Sequence, residues 1–593
     1  MRAAFDDDPT SAPYRVGEYR APNPVIERRQ RGVFVVRDRE SLPTITQFLP
    51  HRLDAHAASS PDAIFLAERR DGEWVKASFL DMQRRVDALA QGLLERGYHK
   101  GDRVVIIGRN GIDHAVLMFA AMAIGLVVAN LSALSLARPG GREEAACLMA
   151  RVGPKAIACD TDMLAIVTAL AGSRTLIALD AASLGQWSAP PTASVARAKR
   201  GLEPGDWAKL LFTSGSTGMP KGVIHTHRML AAAQAAAAQV FLNSDVSHNV
   251  DWLPWHHTYG GNVNLNAALW RGDALWIDDG LPAPGAFEAT LRNLQDIAPT
   301  FYSSVPAAFQ LLVERLESDQ RFARCFFSRL RGLSAGGAAL SPSLVARVQR
   351  AAVAACGMRI PFGAGYGLTE TCGLVTSTYW LSERPEAVGL PPPGVELKLI
   401  PLDEERYEVR VRGPNVTPGF LDDEAATAAA FDQEGWFKTG DALAWVDVNR
   451  PELGLRFAGR LAEDFKLANG TFVRAGRLRA ELNEALAPLV RDVLIVGENQ
   501  SEVGALLLLS EAGLKLGKAA ALLQARRAIA DFNAVREGAT RRVARAACFE
   551  SPPSMSTGEV ADKGSLNVVV ARRLRQREIE RLFSEDYSPM AEV

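Results

Sequence analysis

The stretch SFLDMQRRVDALAQGLLERGYHKGDRVVIIG, residues 78–108, decides the fold. Ser78 is a residue type that caps a helix N-terminus, and Asp81 stands three positions on, where its carboxylate can answer the cap's own N–H. Phe79, Met82, Val86, Leu89, Leu93 and Leu94 recur at three- and four-residue steps, which lines one face of an α-helix. Gly97 suits the left-handed residue that ends such a helix. Arg103-Val-Val-Ile-Ile-Gly108 follows as a buried strand.

The alternation continues outward. Ala115 to Ala129 is the longest apolar run. It contains Gly125 and falls short of the ~18–20 residues a membrane span requires, so it reads as a buried helix followed by a strand. Repeated helix and continuous apolar strand mean α/β layers around a mainly parallel sheet. The alanine-rich segment Met229 to Phe241 is a helix by propensity. From about 385 to 460 the short alternating segments ELKLI, YEVRVRG and LRFAGR indicate a small β-rich subdomain. Beyond Arg460, FKLANGTFV reads as a hairpin turning at Asn469-Gly470, followed by a helix over Leu478 to Leu486, the strands VLIVGE and GALLLLS, and two basic helices. Residues 1 to about 45 read as irregular and 190–200 as a loose loop.

The 593 residues exceed one ordinary core. The expected fold is α/β: a large N-terminal domain of layered sheets over 1–460, and a small mobile α+β C-terminal domain over 461–593. A net charge of −1 points to neither nucleic acid nor an anionic membrane. The six scattered cysteines form no C-x-x-C, so neither a zinc ribbon nor a disulfide framework is indicated. The acidic N-terminus, MRAAFDDDPTSAPYR, is no signal peptide, and a cytoplasmic location is expected. The sequence does not set the oligomeric state, a homodimer included.

The strand signal Lys209-Leu-Leu-Phe212 leads into Thr213-Ser214-Gly215-Ser216-Thr217-Gly218-Met219-Pro220-Lys221-Gly222. Glycines let backbone N–H groups approach phosphate oxygens, three hydroxyls add donors, and Lys221 adds a compact positive charge. The Walker spacing is absent, because here the lysine follows Met-Pro. The plain alternative is a Ser/Gly surface loop. His225 and His227 form an H-x-H pair that reads as structural, with no zinc expected.

This loop resembles the signature of the adenylate-forming superfamily of acyl- and aryl-CoA ligases. Three further segments match it in order: Tyr366-Gly-Leu-Thr-Glu370, Thr439-Gly440-Asp441 and Gly459-Arg460. The resemblance implies ATP, Mg²⁺ and a small carboxylic acid in a first half-reaction, which yields acyl-adenylate and pyrophosphate. Coenzyme A is the co-substrate of the second. It assigns Thr213, Ser214, Gly215, Ser216, Thr217, Gly218 and Lys221 to the triphosphate, and Tyr366, Gly367 and Thr369 to the nucleotide, with Thr369 at the α-phosphate. Glu370 is implied to hold Mg²⁺, and Asp441 the ribose hydroxyls with Arg460 alongside. Alone, Glu370 reads as a surface acid and Asp441 as a turn acid.

For the acid pocket, Asp251-Trp-Leu-Pro-Trp-His-His-Thr-Tyr-Gly-Gly261 matches the segment carrying a gating aromatic or histidine, with His257 in register and Tyr259 near it. A packed aromatic cluster is the equal alternative. Gly336 and Gly337 match a small-residue strand flooring the pocket, leaving room for a flat aromatic acid. In the C-terminal part, Ala462 stands where many relatives carry a hinge Asp or Lys, and Lys466 matches a lysine of some aryl-CoA ligases. Glu559 stands where the adenylation lysine is usual. A glutamate cannot stabilise developing negative charge on phosphate, so Lys563, four residues on, is expected to take that role, a surface lysine being the plain alternative.

Several segments, among them DWLPWHHTYGGN, RVRGPNVTPGF and AEDFKLANGTFV, resemble bacterial feruloyl-CoA synthetases. Ferulate or a related hydroxycinnamate is therefore the expected acid. Tyr366 departs from that group, which leaves benzoates or another bulky acid open. A medium- or long-chain fatty acyl-CoA ligase and a free-standing adenylation domain that loads a carrier protein are the alternatives.

Overall fold

A computed structural model describes residues 11–15, 17, 19–137, 139–213, 220–242, 245–283, 285–338, 340–554, 557–560 and 566–584. The stretch 78–108 folds as its pattern dictates. Helix Phe79–Glu95 opens on Ser78, whose Oγ accepts from the Asp81 N–H at 3.1 Å. The Ser78 N–H donates back to Asp81 Oδ2 at 3.2 Å. At the other end Gly97 takes φ +75. Its N–H reaches Leu94 O, and the Tyr98 N–H reaches Leu93 O, which satisfies two carbonyls the helix leaves open. Phe79, Met82, Val86, Leu89 and Leu93 all face the core.

Strand Arg103–Ile107 lies inside a six-stranded sheet and pairs in parallel with Val127–Leu131 and Ala156–Cys159. The sheet continues through Thr175–Ala178 on one side and Trp207–Thr213 on the other, with Lys221–Thr226 added antiparallel at the edge. Helix Ile112–Ala123 is buried along its whole length, which accounts for its apolar composition. Among the described residues no helix is long and apolar enough to cross a membrane.

Two four-stranded sheets complete the layering. One runs His248–Asp251, Ala274–Ile277, Ile64–Arg70, Glu73–Ser78; the other runs Phe301–Ser304, Gly332–Ala335, Phe362–Tyr366, Thr376–Ser377. In each the first three strands are parallel and the last antiparallel.

Two expectations are corrected. Residues 24–38 are not irregular, because Pro24–Arg28 and Phe34–Asp38 form a hairpin whose second strand pairs with Glu396–Leu399. Residues 193–200 are not a loose loop but the helix Ala193–Arg200, capped by Thr192. Lys199 there is 4% exposed and pairs with Asp54 and Asp87, so tertiary charge pairing holds a polar segment that shows little on its own.

The chain divides into two compact units. The first comprises Met1–Leu399, Arg410–Thr439 and Val446–Leu455; the second comprises Ile400–Val409, Gly440–Trp445 and Arg456–Val593. The expected β-rich strands are present as Glu396–Pro401, Arg406–Arg412, Phe437–Trp445 and Leu455–Arg460, and each runs across this division.

In the second unit Phe465–Lys466 pairs antiparallel with Phe472–Val473, turning at Asn469-Gly470 as expected. Helix Ala475–Ala485 follows, then a sheet of Val490–Val496, Gly504–Leu509 and Arg545–Cys548. Val493 and Ile495 enter one core with Leu482 and Ile529, while Leu494 and Val496 enter another with Leu566 and Ala571. That two-residue period is the mark of a strand covered on both faces. The architecture is thus α/β, a large N-terminal body of layered sheets followed by a smaller α+β one.

Candidate functional site

Strand Trp207–Thr213 and strand Lys221–Thr226 form an antiparallel hairpin, with Thr213 directly opposite Lys221. The two ends of the predicted phosphate loop are therefore pinned together. Ser214, Gly215, Ser216, Thr217 and Gly218 lie outside the described residues. The Lys221 ammonium sits 5.1 Å from the centre of the Phe420 ring. The hairpin is held from one side by residues 419–421: Leu421 N–H donates to Gly222 O at 2.7 Å, and Ile224 N–H donates to Gly419 O.

Tyr366 ends strand Phe362–Tyr366 and is buried, and Thr369 and Glu370 begin the short turn Thr369–Thr371. Gly367 has no room for a side chain, since a Cβ there would lie 2.0 Å from Gly373 O. The turn is fastened to the hairpin. His225, on the lysine's own strand, donates from Nε2 to Thr369 O at 2.7 Å. Thr417 N–H donates to Glu370 O, and Asn415 Nδ2 donates to Thr371 O and Leu374 O. Burial pushes the His225 pKa down to about 4, against the opposite pull of its carbonyl partner, so the ring is neutral. The residue that read as half of an H-x-H pair is a strut between two motif loops.

In the acid-pocket segment, Tyr259 opens a π-helical turn over Tyr259–Asn264. Its hydroxyl lies 2.8 Å from Ser303 Oγ and donates to Ser304 O at 3.2 Å. A Cβ on Gly336 would lie 3.1 Å from this ring, so the space beside Gly336 holds Tyr259. His257 stacks at a tilt on His256, ring centres 4.4 Å apart. Gly337 is exposed, with φ +79. Burial raises the Tyr259 phenol well above its ordinary pKa.

In the second unit Asp441 is 3% exposed and lies 3.6 Å from Arg460 Nε, so those two motif residues do meet. Lys466 does not join them in any described contact; its ammonium lies over the Phe472 ring at 4.8 Å. Ala462 is exposed on the turn Leu461–Glu463, and the neighbouring Asp464 is engaged by Arg406 at 2.9 Å. Glu559 is 1% exposed and accepts both Nε and Nη2 of Arg575, at 2.6 and 2.8 Å. Burial works to raise its pKa, but the bonds from Arg575 and Thr557 outweigh it and hold the carboxyl below its ordinary value. Lys563 lies outside the described residues.

A family model described as AMP-binding enzyme matches residues 53–421, and one for the AMP-binding enzyme C-terminal domain matches 464–586. The chain belongs to the AMP-binding enzyme family, the adenylate-forming acyl-CoA ligase superfamily. It is similar to a long-chain-fatty-acid–CoA ligase of Thermus thermophilus, 29% identical over 64% of this chain and 72% of that one. It is likewise similar to a long-chain-fatty-acid–CoA ligase of Mycobacterium bovis, 29% identical over 76% and 80%. Among solved structures it shares its fold with the adenylation domain of a carboxylate reductase from Mycobacterium chelonae, with a TM-score of 0.74, 19% identity, and 91% and 92% of the two chains covered.

Members of this family bind an adenine nucleotide, and a hard divalent cation bound with one would find carboxylate oxygen at Glu370. Glu370 offers hard carboxylate oxygens, and among the described residues no group of three His, Cys, Asp or Glu side chains converges. A cation at Glu370 would take its other ligands from phosphate and water, which is the habit of Mg²⁺.

Three groups around this AMP-binding enzyme's site were not legible beforehand. Arg151, from helix Gly141–Val152, donates to Pro220 O and Leu421 O; nothing distinguishes it from the other arginines by pattern. Lys209 is fully buried under the acid-pocket segment, its ammonium 3.3 Å from Gly261 O and 3.4 Å from Asn262 Oδ1. Burial pushes its pKa down to about 7. Asp251, at the start of that segment, is pushed up to about 8 by burial, against a bond from the Leu253 N–H. A lysine inside an apolar strand was the available signal for Lys209, and it read only as strand.

Proposed function

We propose that this enzyme is an ATP-dependent acid–CoA ligase acting on an aryl acid such as ferulate or a related hydroxycinnamate. The observation that carries the reading is the His225–Thr369 bond, which sets the strand of Lys221 beside the turn of Thr369 and Glu370. A carboxylate is a poor electrophile, so it is first activated. Its oxygen attacks the α-phosphorus of ATP, the bond to the β-phosphate breaks, and pyrophosphate leaves. The thiol sulfur of coenzyme A then attacks the acyl carbon, its proton is lost, and AMP leaves.

In this reading Lys221 and the hydroxyls of residues 214–217 hold the β- and γ-phosphates, and Thr369 contacts the α-phosphate. Bound Mg²⁺ at Glu370 supplies charge neutralisation at the reacting phosphate. Asp441, as a pure acceptor, takes the ribose hydroxyls, with Arg460 beside it. Lys563, in a C-terminal lid of 461–593, stabilises the charge that develops during adenylation. His257, Tyr259 and Gly337 face the acid, and the Tyr259 ring, packed against Gly336, is one wall.

A second reading, a fatty acyl-CoA ligase, is favoured by what the two relatives are called. The test is acid-dependent ATP–pyrophosphate exchange and CoA-dependent AMP release over hydroxycinnamates, benzoates, and medium- and long-chain fatty acids. Exchange with hydroxycinnamates supports the first reading, and exchange with fatty acids alone replaces it with the second. No exchange with any acid rejects both.

A further inference from the structure

We propose that Arg151 is a positioning residue for Lys221 and acts on the adenylation half-reaction alone. Arg151 lies in the last turn of helix Gly141–Val152. Its Nη1 donates to Pro220 O at 2.8 Å and its Nη2 to Leu421 O at 3.1 Å. The Pro220 carbonyl belongs to the peptide plane that ends at the Lys221 nitrogen, so the guanidinium grips the backbone immediately before the lysine. On the far side, the Leu421 N–H takes Gly222 O at 2.7 Å. Carbonyls on both sides of Lys221 are thus fixed through one residue, Leu421, and the arginine that holds it.

The side chain chemistry suits this task. A guanidinium presents donors in a rigid planar fork, and here two of them meet two carbonyls from separate segments. Among the described residues no carboxylate pairs with Arg151, so its hydrogen bonds go to backbone rather than to an ion pair. Thr213 opposite Lys221 and the Phe420 ring near its ammonium complete the fixation. The lysine's long stem is flexible, and what the backbone clamp supplies is the place from which that stem starts.

The inference rests on the reading of Lys221 as the holder of the β- and γ-phosphates. Those groups depart as pyrophosphate, so a defect confined to Lys221 placement leaves the thioester step untouched. The experiment compares Arg151→Met, Arg151→Lys, Lys221→Met and the Arg151→Met/Lys221→Met double variant, in the full chain, with an acid that supports exchange. Two rates are measured: ATP–pyrophosphate exchange at varied ATP, and thioester formation from supplied acyl-adenylate and coenzyme A.

Arg151→Met is expected to lower kcat/KM for ATP in exchange about tenfold, the scale of a small misplacement of a binding group. Thioester formation stays within twofold. Arg151→Lys keeps the charge without the fork and recovers only part of the loss. In the Lys221→Met background Arg151→Met adds nothing, because a residue that acts through another is silent once that other is gone. Equal loss in both half-reactions, or full additivity in the double variant, overturns the proposal. Should Arg151→Met not fold, Arg151→Lys with and without Lys221→Met carries the same comparison. Unchanged exchange in Lys221→Met is a different result, and it overturns the reading of Lys221 itself.

Discussion

His225 Nε2 donates to the backbone carbonyl of Thr369 at 2.7 Å, across 144 residues of sequence. A carbonyl only accepts, so Nε2 carries the ring's proton. His225→Leu removes this donor from a half-buried carbonyl that keeps the Cys372 N–H, at a cost of about 1 kcal/mol. We expect a lower thermal midpoint and a roughly tenfold slower ATP–pyrophosphate exchange, the scale of a misplaced catalytic group. His225→Gln, which can still donate, retains most of both. Wild-type activity in the leucine variant would show that the strut is dispensable. Because the ring titrates near 4, no step near pH 6–7 in the exchange rate arises from this histidine.

Two buried titratable groups give stability opposite slopes in pH. Asp251 holds its proton to about pH 8 when folded, and releases it near its ordinary value of 3.8 when unfolded. Between those values the folded chain binds more protons, so this group's stabilisation fades as pH rises through 8. Lys209 loses its proton near 7 when folded and near 10.5 when unfolded. There the unfolded chain binds more protons, so stability rises from pH 7 upward. The midpoint of Asp251→Asn, relative to wild type, should therefore climb from pH 5 to 8, while the advantage of Lys209→Met should shrink from pH 7 to 10. Difference curves flat in pH for both variants would contradict the placement of these groups.

Glu559 and Arg575 form a buried bidentate pair, and Thr557 adds a third bond to the carboxylate at 2.7 Å. Glu559→Gln strands the guanidinium, for which about 3 kcal/mol is the expected loss. Hydrogen exchange of residues 557–560 and 566–574 should accelerate, since Asn567 N–H donates to Glu559 O and Val560 bridges Leu566 there. Unchanged protection in that region would reject an anchoring role for the pair.

Lys563→Ala is expected to abolish adenylation and spare thioester formation from supplied acyl-adenylate. Glu559, four residues earlier, has its carboxylate committed to Arg575. An unaffected Lys563→Ala enzyme would reject the choice of lysine.

Local patterns carried much of this. The helix over 79–95, its caps and the strand over 103–107 follow from periodicity and end chemistry that act within a few residues. The hairpin at Asn469-Gly470 was legible for the same reason. The helix Ala193–Arg200 was not, because what buries Lys199 are Asp54 and Asp87, more than 100 residues away in the chain. The same holds for the strand Phe34–Asp38, whose partner begins at Glu396.

By itself, then, the sequence determined which residue types suit phosphate, ribose and metal, and the order in which they occur, because motif chemistry is a property of short spacing. Only the tertiary structure decided what holds them. His225 read from the sequence only as structural, and the fold shows what it braces, the carbonyl of Thr369. Gly336 could leave a space for an acid, and the Tyr259 ring occupies that side of it. Arg151 had no pattern at all; its meaning lies in two carbonyls, on Pro220 and Leu421, that come within reach of one guanidinium when the chain is folded. Hydrogen bonds of this kind act over 3 Å and are indifferent to sequence separation, which is why no spacing rule foresees them.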